Sequence, residues 1–371
     1  MLSAAGKEVM LKSVTMAMPT YTMSCFKLPK KICKEINAVM SNYWWGEANG
    51  KNKLHWRSWS KMSLDRKDGG LGFKDLATFN AALLGKQVWR LLTQPNLLVS
   101  RVLKDKYHPR DSLLKCKVAG NASWIWKGLM GARHLIEKGS RRRIGNGKST
   151  HIWEDSWLPD KHQGKVTTLK PQGCKLAKVE ELIIHNRWNQ NLIFRNFNSK
   201  DAESVLSIPI SLVNREDGNY WCHTSNGNYS VRSAYNLQVD VQREHAQEAR
   251  ERVGTSWSSA RQKGWKYLWK LNIKHKVKIF LWKCLNQALP VRQLIYDRTK
   301  QGDPTCRFCG EEGETIEHAL LNCSHVKLVW KMSPVQWEGI RDQQGCFSKW
   351  WTTVMEARMR SEGSKHISLT A

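Results

Sequence analysis

The chain has 371 residues, enough for two or three cores, and its 41% apolar content suits globular folding despite a mean hydropathy of −0.55. It carries 60 Lys and Arg against 32 Asp and Glu, a formal charge of +28 that points to a polyanionic partner, the plainer reading being a well-solvated surface. No stretch reads as a membrane span or signal peptide, because Lys7, Glu8 and Lys12 break the N-terminal run, so the ten cysteines are expected in an intracellular, reducing compartment as thiols or metal ligands rather than disulfides.

Residues 1–160 are expected to be helical with small β-hairpins. In "LPKKICKEINAVMSNYWWG", Ile32, Ile36, Val39, Met40, Tyr43 and Trp44 share a helical face, with Pro29 before it and Gly46 after. "DGGLGF" at 68–73 is a glycine turn, and the next stretch repeats helical spacing through Leu76, Phe79 and Leu83 until Pro95 stops it. "NLLVSRVLKDKYHP" and "SWIWKGLMGARHLIEKG" predict two more helices, the second closed by Gly139. The pattern then turns β-like, since Asn146-Gly147 and Asn226-Gly227 each lie between β-prone flanks, a hairpin signal. Residues 161–239 read as a hairpin-containing connector, 240–263 as a polar linker or mobile loop, 264–337 as a closing module and 338–371 as a tail. The expected class is mostly α, α+β. No fixed-period repeat is present.

The strongest chemical signal is "CRFCGEEGETIEHALLNC". Its spacing, Cys-x2-Cys-x8-His-x4-Cys, sets Cys306, Cys309, His318 and Cys323 as a tetrahedral Zn²⁺ site, against the alternative of free thiols near a surface His. Thr315 is a candidate cap for a short helix presenting His318. Four protein ligands would fill the coordination shell, so the zinc is expected to be structural rather than catalytic. Glu311, Glu312, Glu314 and Glu317 read as solvated charges, the last two also favoured by a helix start. "GNGKST" tempts toward a phosphate loop, but the glycine that pattern requires is replaced by Arg142, so a hairpin fits better. His151, Glu154 and Asp155 lie close in sequence, as surface polar residues often do. There is no Asp-Asp pair, and no set of carboxylates suggests two-metal polymerase or nuclease chemistry.

Nucleic-acid contacts are expected from Lys274, Lys276, Lys278 and Lys283, on a helix whose apolar face is Val277, Phe280, Leu281, Cys284, Leu285 and Ala288, and from Arg141, Arg142 and Arg143. The Arg run also reads as a nuclear-import signal. The 19 Trp are expected mostly in cores, Trp265 and Trp269 included, with a few free to stack on bases.

Long strings then bring a family into view. "LSAAGKEVMLKSVTMAMPTYTMSCFKLPKKIC", "YWWG", "HWRSWSKMSLDRKDGGLGFKDLATFNAALLGKQVWRLL" and "RIGNGKSTHIWEDSWLP" resemble the part of plant non-LTR (LINE-type) retroelement reverse transcriptases that follows the polymerase core, the thumb and connection. "YSVRSAY", "WKYLWKLNIKHKVKIFLWKCLNQALPVRQLI" and the Cys/His cluster resemble the reverse-transcriptase zinc-binding domain. The resemblance implies zinc on Cys306, Cys309, His318 and Cys323. It implies a nucleic-acid partner, RNA or DNA, and docking to a reverse-transcriptase core. It also implies catalysis at an Asp-Asp motif upstream that this chain lacks, and a ribonuclease H domain in some members that it also lacks. The expectation is therefore a truncated, non-catalytic nucleic-acid-binding fragment. The alternatives are a protein-interaction module or a non-functional retroelement remnant.

Overall fold

The computed structural model describes residues 2–48, 51–159, 164–211, 213–251, 259–332 and 345–362. Helices dominate, and the described strands form three two-stranded antiparallel sheets, so the class is mostly α, α+β. The strands are β1 (Glu47–Ala48), β2 (Lys51–Asn52), β3 (Ser140–Arg143), β4 (Ile183–Ile184), β5 (Arg187–Trp188) and β6 (Gly218–Trp221), paired β1–β2, β3–β6 and β4–β5. The chain packs as two units: 1–19 with 30–76 and 249–371, and 20–29 with 77–248. This packing cuts across the division by sequence order, because side chains near the N-terminus bond residues of the closing module.

In the first unit, Glu8 on helix Ala4–Met10 is 3% exposed and holds two cations and a histidine ring. It accepts from Lys12 Nζ at 2.7 Å, Arg66 Nη2 at 2.7 Å and His275 Nε2 at 2.8 Å. A buried carboxylate needs such partners, and here they come from three separate segments. The "DGGLGF" turn gives a second junction. Gly69, at φ +85°, offers its carbonyl to Trp282 Nε1 (2.9 Å) and Asn286 Nδ2 (3.1 Å). A Cβ on Gly69 would lie 2.8 Å from the Trp265 ring, so the left-handed glycine also lets that indole pack down. Arg298 clamps a third point, donating to the carbonyls of His55 and Trp56.

Helix Lys30–Trp45 forms as the spacing predicts and ends at Gly46, φ +84°. Its buried face, however, is Cys33, Met40, Ser41 and Trp44, while Ile32, Val39 and Tyr43 are exposed. The helix is apolar on more than one side, and Trp44 meeting Phe73 edge-on at 5.6 Å selects which side is covered. Helix His275–Leu285 is rotated in the same sense, burying Ile279, Trp282, Cys284 and Leu285 and leaving Val277 and Phe280 exposed. Within the expected tail, Phe347–Glu362 is a helix with Phe347, Trp350, Trp351 and Met355 buried, and Trp351 Nε1 bonds the Gly264 carbonyl at 3.2 Å.

The second unit is built on helix Leu76–Thr93, which enters it at Ala77. Leu84, Val88 and Trp89 pack with Trp126, Leu129, Ile136, Trp221 and Tyr229. Tyr229 Oη donates to the Ala82 carbonyl at 2.7 Å, and a Cβ on Gly85 would come within 2.4 Å of that oxygen. The helix expected over "SWIWKGLMGARHLIEKG" is two, Trp124–Gly131 and Arg133–Gly139, the first capped by Ser123. Part of the expected linker is also helical: Val231–Glu251 runs through it, and Ser259–Lys270 begins in it, with 252–258 outside the described residues.

Both expected hairpins form differently. The 144–150 loop curls around the carboxylate of Asp217 instead of turning into a strand. Oδ1 accepts from the N–H groups of Gly145 (2.7 Å) and Gly147 (2.9 Å), and Oδ2 from Ser149 N (3.0 Å), Ser149 Oγ (3.1 Å) and Thr150 Oγ1 (2.9 Å). Asp217 directly precedes β6, so this anchor delivers β6 to β3, with Ser140 opposite Trp221. Asn226-Gly227 is a turn after β6, where Trp221 N donates to the Gly227 carbonyl. A two-residue hairpin instead joins β4 and β5, whose loop residues His185 and Asn186 sit at φ 50° and 58°, as a type I′ turn requires.

Candidate metal centre and basic surfaces

The Cys306–Cys323 stretch folds from its own turn chemistry. After Cys306 the chain reverses, with Gly310 at φ +71° donating to the Cys306 carbonyl at 2.9 Å. Cys306 N then bonds the Glu312 carbonyl at 2.8 Å, beside a Thr305–Gly313 bridge. This fixes Cys306 and Cys309 on one knuckle. Thr315 caps the next turn as expected, its Oγ1 accepting from His318 N at 3.0 Å. His318–Asn322 is a π-helical turn closed by Cys323 N on the His318 carbonyl at 2.9 Å. One wide turn therefore spans the His-x4-Cys spacing and brings both side chains to the knuckle.

The four donor atoms lie within 4.8 Å of one another. Cys306 Sγ is 4.0 Å from Cys323 Sγ, and Cys309 Sγ is 3.2 Å from His318 Nε2. A tetrahedron with Zn–S of about 2.3 Å has S···S edges of about 3.8 Å, so the donor set fits zinc. Cys306, His318 and Cys323 are buried, which keeps water from three of the four donors. The backbone N–H groups of Glu311 and Glu312, then His318, hold the Cys309 thiol at about 7, toward the thiolate that binds metal, while burial pushes the Cys306 thiol up.

Glu312 is the residue the sequence reading missed. Its Oε2 lies 2.9 Å from His318 Nδ1 and orients the ring so that Nε2 faces the sulfurs. Glu314 and Glu317 also differ from solvated charges: Glu314 accepts from Arg292 N, and Glu317 accepts from Phe347 N at 3.0 Å and Gln287 Nε2 at 3.2 Å. Glu311 and Glu312 keep the expected exposure, Glu312 while bonding His318, and Glu314 and Glu317 are half-buried. A carboxylate six residues before the histidine on the same loop was the available signal for Glu312.

Residues 229–330, which contain all four donors, match the family described as zinc-binding in reverse transcriptase. An uncharacterized mitochondrial protein of Arabidopsis thaliana is 42% identical over 146 residues, covering 39% of this chain and 95% of that protein. A putative ribonuclease H protein of Arabidopsis thaliana is 29% identical over 355 residues, covering 94% of this chain and 54% of that protein. The chain belongs to the reverse-transcriptase-related retroelement proteins. It spans about half the length of the second relative.

In this reverse-transcriptase-related chain the predicted basic residues are not equivalent. Lys274 and Lys276 are exposed at the start of helix His275–Leu285. Lys278 is half-buried, its Nζ on the Trp269 carbonyl at 3.2 Å. Lys283 is also half-buried; burial first, and Lys7 after it, hold its ammonium below the ordinary value. Arg141, Arg142 and Arg143 lie on β3, where side chains alternate faces, so they do not form one patch. Arg141 caps the Lys138 and Ser140 carbonyls, Arg142 reaches Ser149, Thr150 and Asn219, and exposed Arg143 sits 5.9 Å above the Tyr220 ring. Trp265 is buried and Trp269 half-buried, with the Arg66 guanidinium 4.5 Å from the Trp269 ring. The "GNGKST" loop is a nest of backbone donors filled by Asp217, which explains its phosphate-loop look. His151, Glu154 and Asp155 do not converge: Asp155 bonds the His151 backbone and Glu154 pairs with Lys115. Among the described residues no helix is long and apolar enough to cross a membrane.

Proposed function

We propose that this chain is a non-catalytic, zinc-containing nucleic-acid-binding part of a retrotransposon reverse transcriptase, holding RNA or DNA mainly through phosphate contacts. The observation that carries the reading is the Cys₃His cluster, compact and closed, in the same packed unit as a lysine-bearing helix in a chain of charge +28. Cys306, Cys309, His318 and Cys323 would hold the zinc, which with four protein ligands supplies folding energy rather than an open coordination position. The chain's own residues do the binding. Lys274 and Lys276 present ammonium groups to phosphates, and Trp282 and Asn286, bonded to Gly69, fix the helix that carries them. The buried or half-buried carboxylates serve the fold. Asp217 organises the 144–150 loop, Asp201 accepts from the backbone and hydroxyls of Thr167 and Thr168, and Glu8 pairs with Lys12 and Arg66 and bonds His275.

A salt titration tests this. Each neutralised phosphate contributes a slope of roughly −0.9 in log K against log salt for duplex DNA, or about −0.7 for single strands, so affinity should fall steeply. Lys274→Gln with Lys276→Gln should reduce the slope by roughly 2 on duplex DNA. A flat salt response, or no binding at low salt, contradicts the reading. Primer extension by the isolated chain would contradict its non-catalytic part. The second reading, docking to a polymerase core, draws on the exposed Leu98, Val99 and Val102 of helix Leu98–Tyr107.

A further inference from the structure

We propose that the zinc knuckle carries a base-stacking finger, Phe308 with Arg307, which makes the chain prefer single-stranded nucleic acid over duplex. The inference rests on the nucleic-acid-binding reading above and deepens it. Phe308 is 74% exposed, among the most exposed large apolar side chains described. It is also among the best-anchored, since it sits between two metal ligands, Cys306 and Cys309, on a turn fixed by Gly310 N and Cys306 N. An aromatic ring held out in water on a rigid turn loses little conformational entropy when a flat partner covers it.

Its surroundings suit a nucleobase joined to a phosphate. Arg307, the adjacent residue, is exposed and, among the described residues, makes no ion pair or hydrogen bond. The His325 ring lies 6.4 Å from Phe308, tilted by 46°, so a second polar aromatic borders the same face. Glu312 is exposed but bonds His318 Nδ1, which draws one of its oxygens toward the cluster. Every base offers a π-face, but in a duplex both faces are already stacked, so an exposed ring of this kind discriminates by strandedness rather than by sequence. Glu311 and Glu312 are the exposed acids on the turn, and Glu311, which bonds no described histidine, opposes binding most directly.

The test uses the full, zinc-loaded chain and fluorescence anisotropy with labelled mixed-sequence single-stranded DNA, the same sequence as RNA, and the corresponding duplex, across a salt series. Phe308→Ala should weaken single-strand binding roughly 5- to 100-fold with its salt slope unchanged, and duplex binding less than twofold. Phe308→Trp should restore the affinity. Arg307→Gln should lower the single-strand slope by about 0.7, and Glu311→Gln should tighten binding. Zinc content and far-UV circular dichroism of each variant, expected to match wild type because these side chains are exposed, separate loss of contact from loss of fold. Phe308→Ala binding as wild type, or losing duplex and single strand equally, overturns the stacking finger while the phosphate reading stands. Absence of binding to any of the three probes at low salt overturns both. Binding only to a protein partner, lost in Phe308→Ala, overturns the nucleic-acid assignment of this face.

Discussion

Glu8→Gln is the sharpest test of how the N-terminal helix is tied to the part of its unit that contains the Cys₃His cluster. The carboxylate is 3% exposed and accepts charge-assisted bonds at 2.7, 2.7 and 2.8 Å. Gln keeps the shape, and its amide oxygen can still accept from Lys12 and Arg66, but it carries no charge and its NH₂ cannot accept from His275. Removing one partner from a fully buried pair costs about 3–5 kcal/mol. Here the side chains of Lys12, Arg66 and His275 are 31%, 44% and 37% exposed, so water resolvates them once the charge is gone. The expected loss is therefore smaller, about 2–3 kcal/mol. Urea denaturation followed by tryptophan fluorescence reads it as a lower midpoint at unchanged slope. The pH dependence has a definite sign. Burial alone would raise the Glu8 pKa, but Lys12, His275 and Arg66 together outweigh it and hold the group below its ordinary value of 4.5. A depressed carboxylate gives its full stability above the unfolded value and loses it as pH falls through the folded value. The wild-type advantage over Glu8→Gln should accordingly be complete above pH 4.5 and shrink below it. A midpoint shift worth less than about 0.5 kcal/mol, or an advantage that grows on acidification, would refute the account.

Three further outcomes follow from named contacts. Gly85→Ala should destabilise by about 1–3 kcal/mol in a thermal melt, because its Cβ would meet Tyr229 Oη at 2.4 Å, and adding Tyr229→Phe should recover part of the loss. Asp217→Ala leaves the Gly145, Gly147 and Ser149 N–H groups without their acceptor, so it should cost about 2–4 kcal/mol and release amide exchange at 144–150 before the rest of the unit. Glu312→Gln should weaken metal affinity roughly 10- to 100-fold in a chelator competition while leaving stoichiometry at one ion, since His318 loses the carboxylate that orients it.

The grouping of Cys306, Cys309, His318 and Cys323 was legible in sequence because the Cys-x2-Cys turn and the capped turn around His318 are local: Gly310 and Thr315 supply the conformations they advertise. Helix existence was legible from periodicity for the same reason. Which face of a helix is buried was not, since Lys30–Trp45 and His275–Leu285 are apolar on more than one side and partners distant in sequence, Phe73 and Gly69, choose between the faces. The Asn146-Gly147 signal failed through a contact of long sequence separation, the Asp217 carboxylate drawing in backbone donors that a hairpin would have paired along a strand. Val231–Glu251 was hidden by its polarity; helical propensity without an apolar stripe reads like a linker. Lys283 shows the limit of reading charge from sequence, because burial withdraws it from the surface that its neighbours Lys274 and Lys276 occupy.

The proposed role of the cluster is to close around one zinc and hold a fold. X-ray absorption at the zinc edge of the purified chain tests it most directly. Three sulfurs at about 2.3 Å and one nitrogen at about 2.0–2.1 Å, with no oxygen neighbour, are expected from Cys306, Cys309, Cys323 and His318. A shell with two or fewer sulfurs, or with a water oxygen in a fourth position, would contradict it.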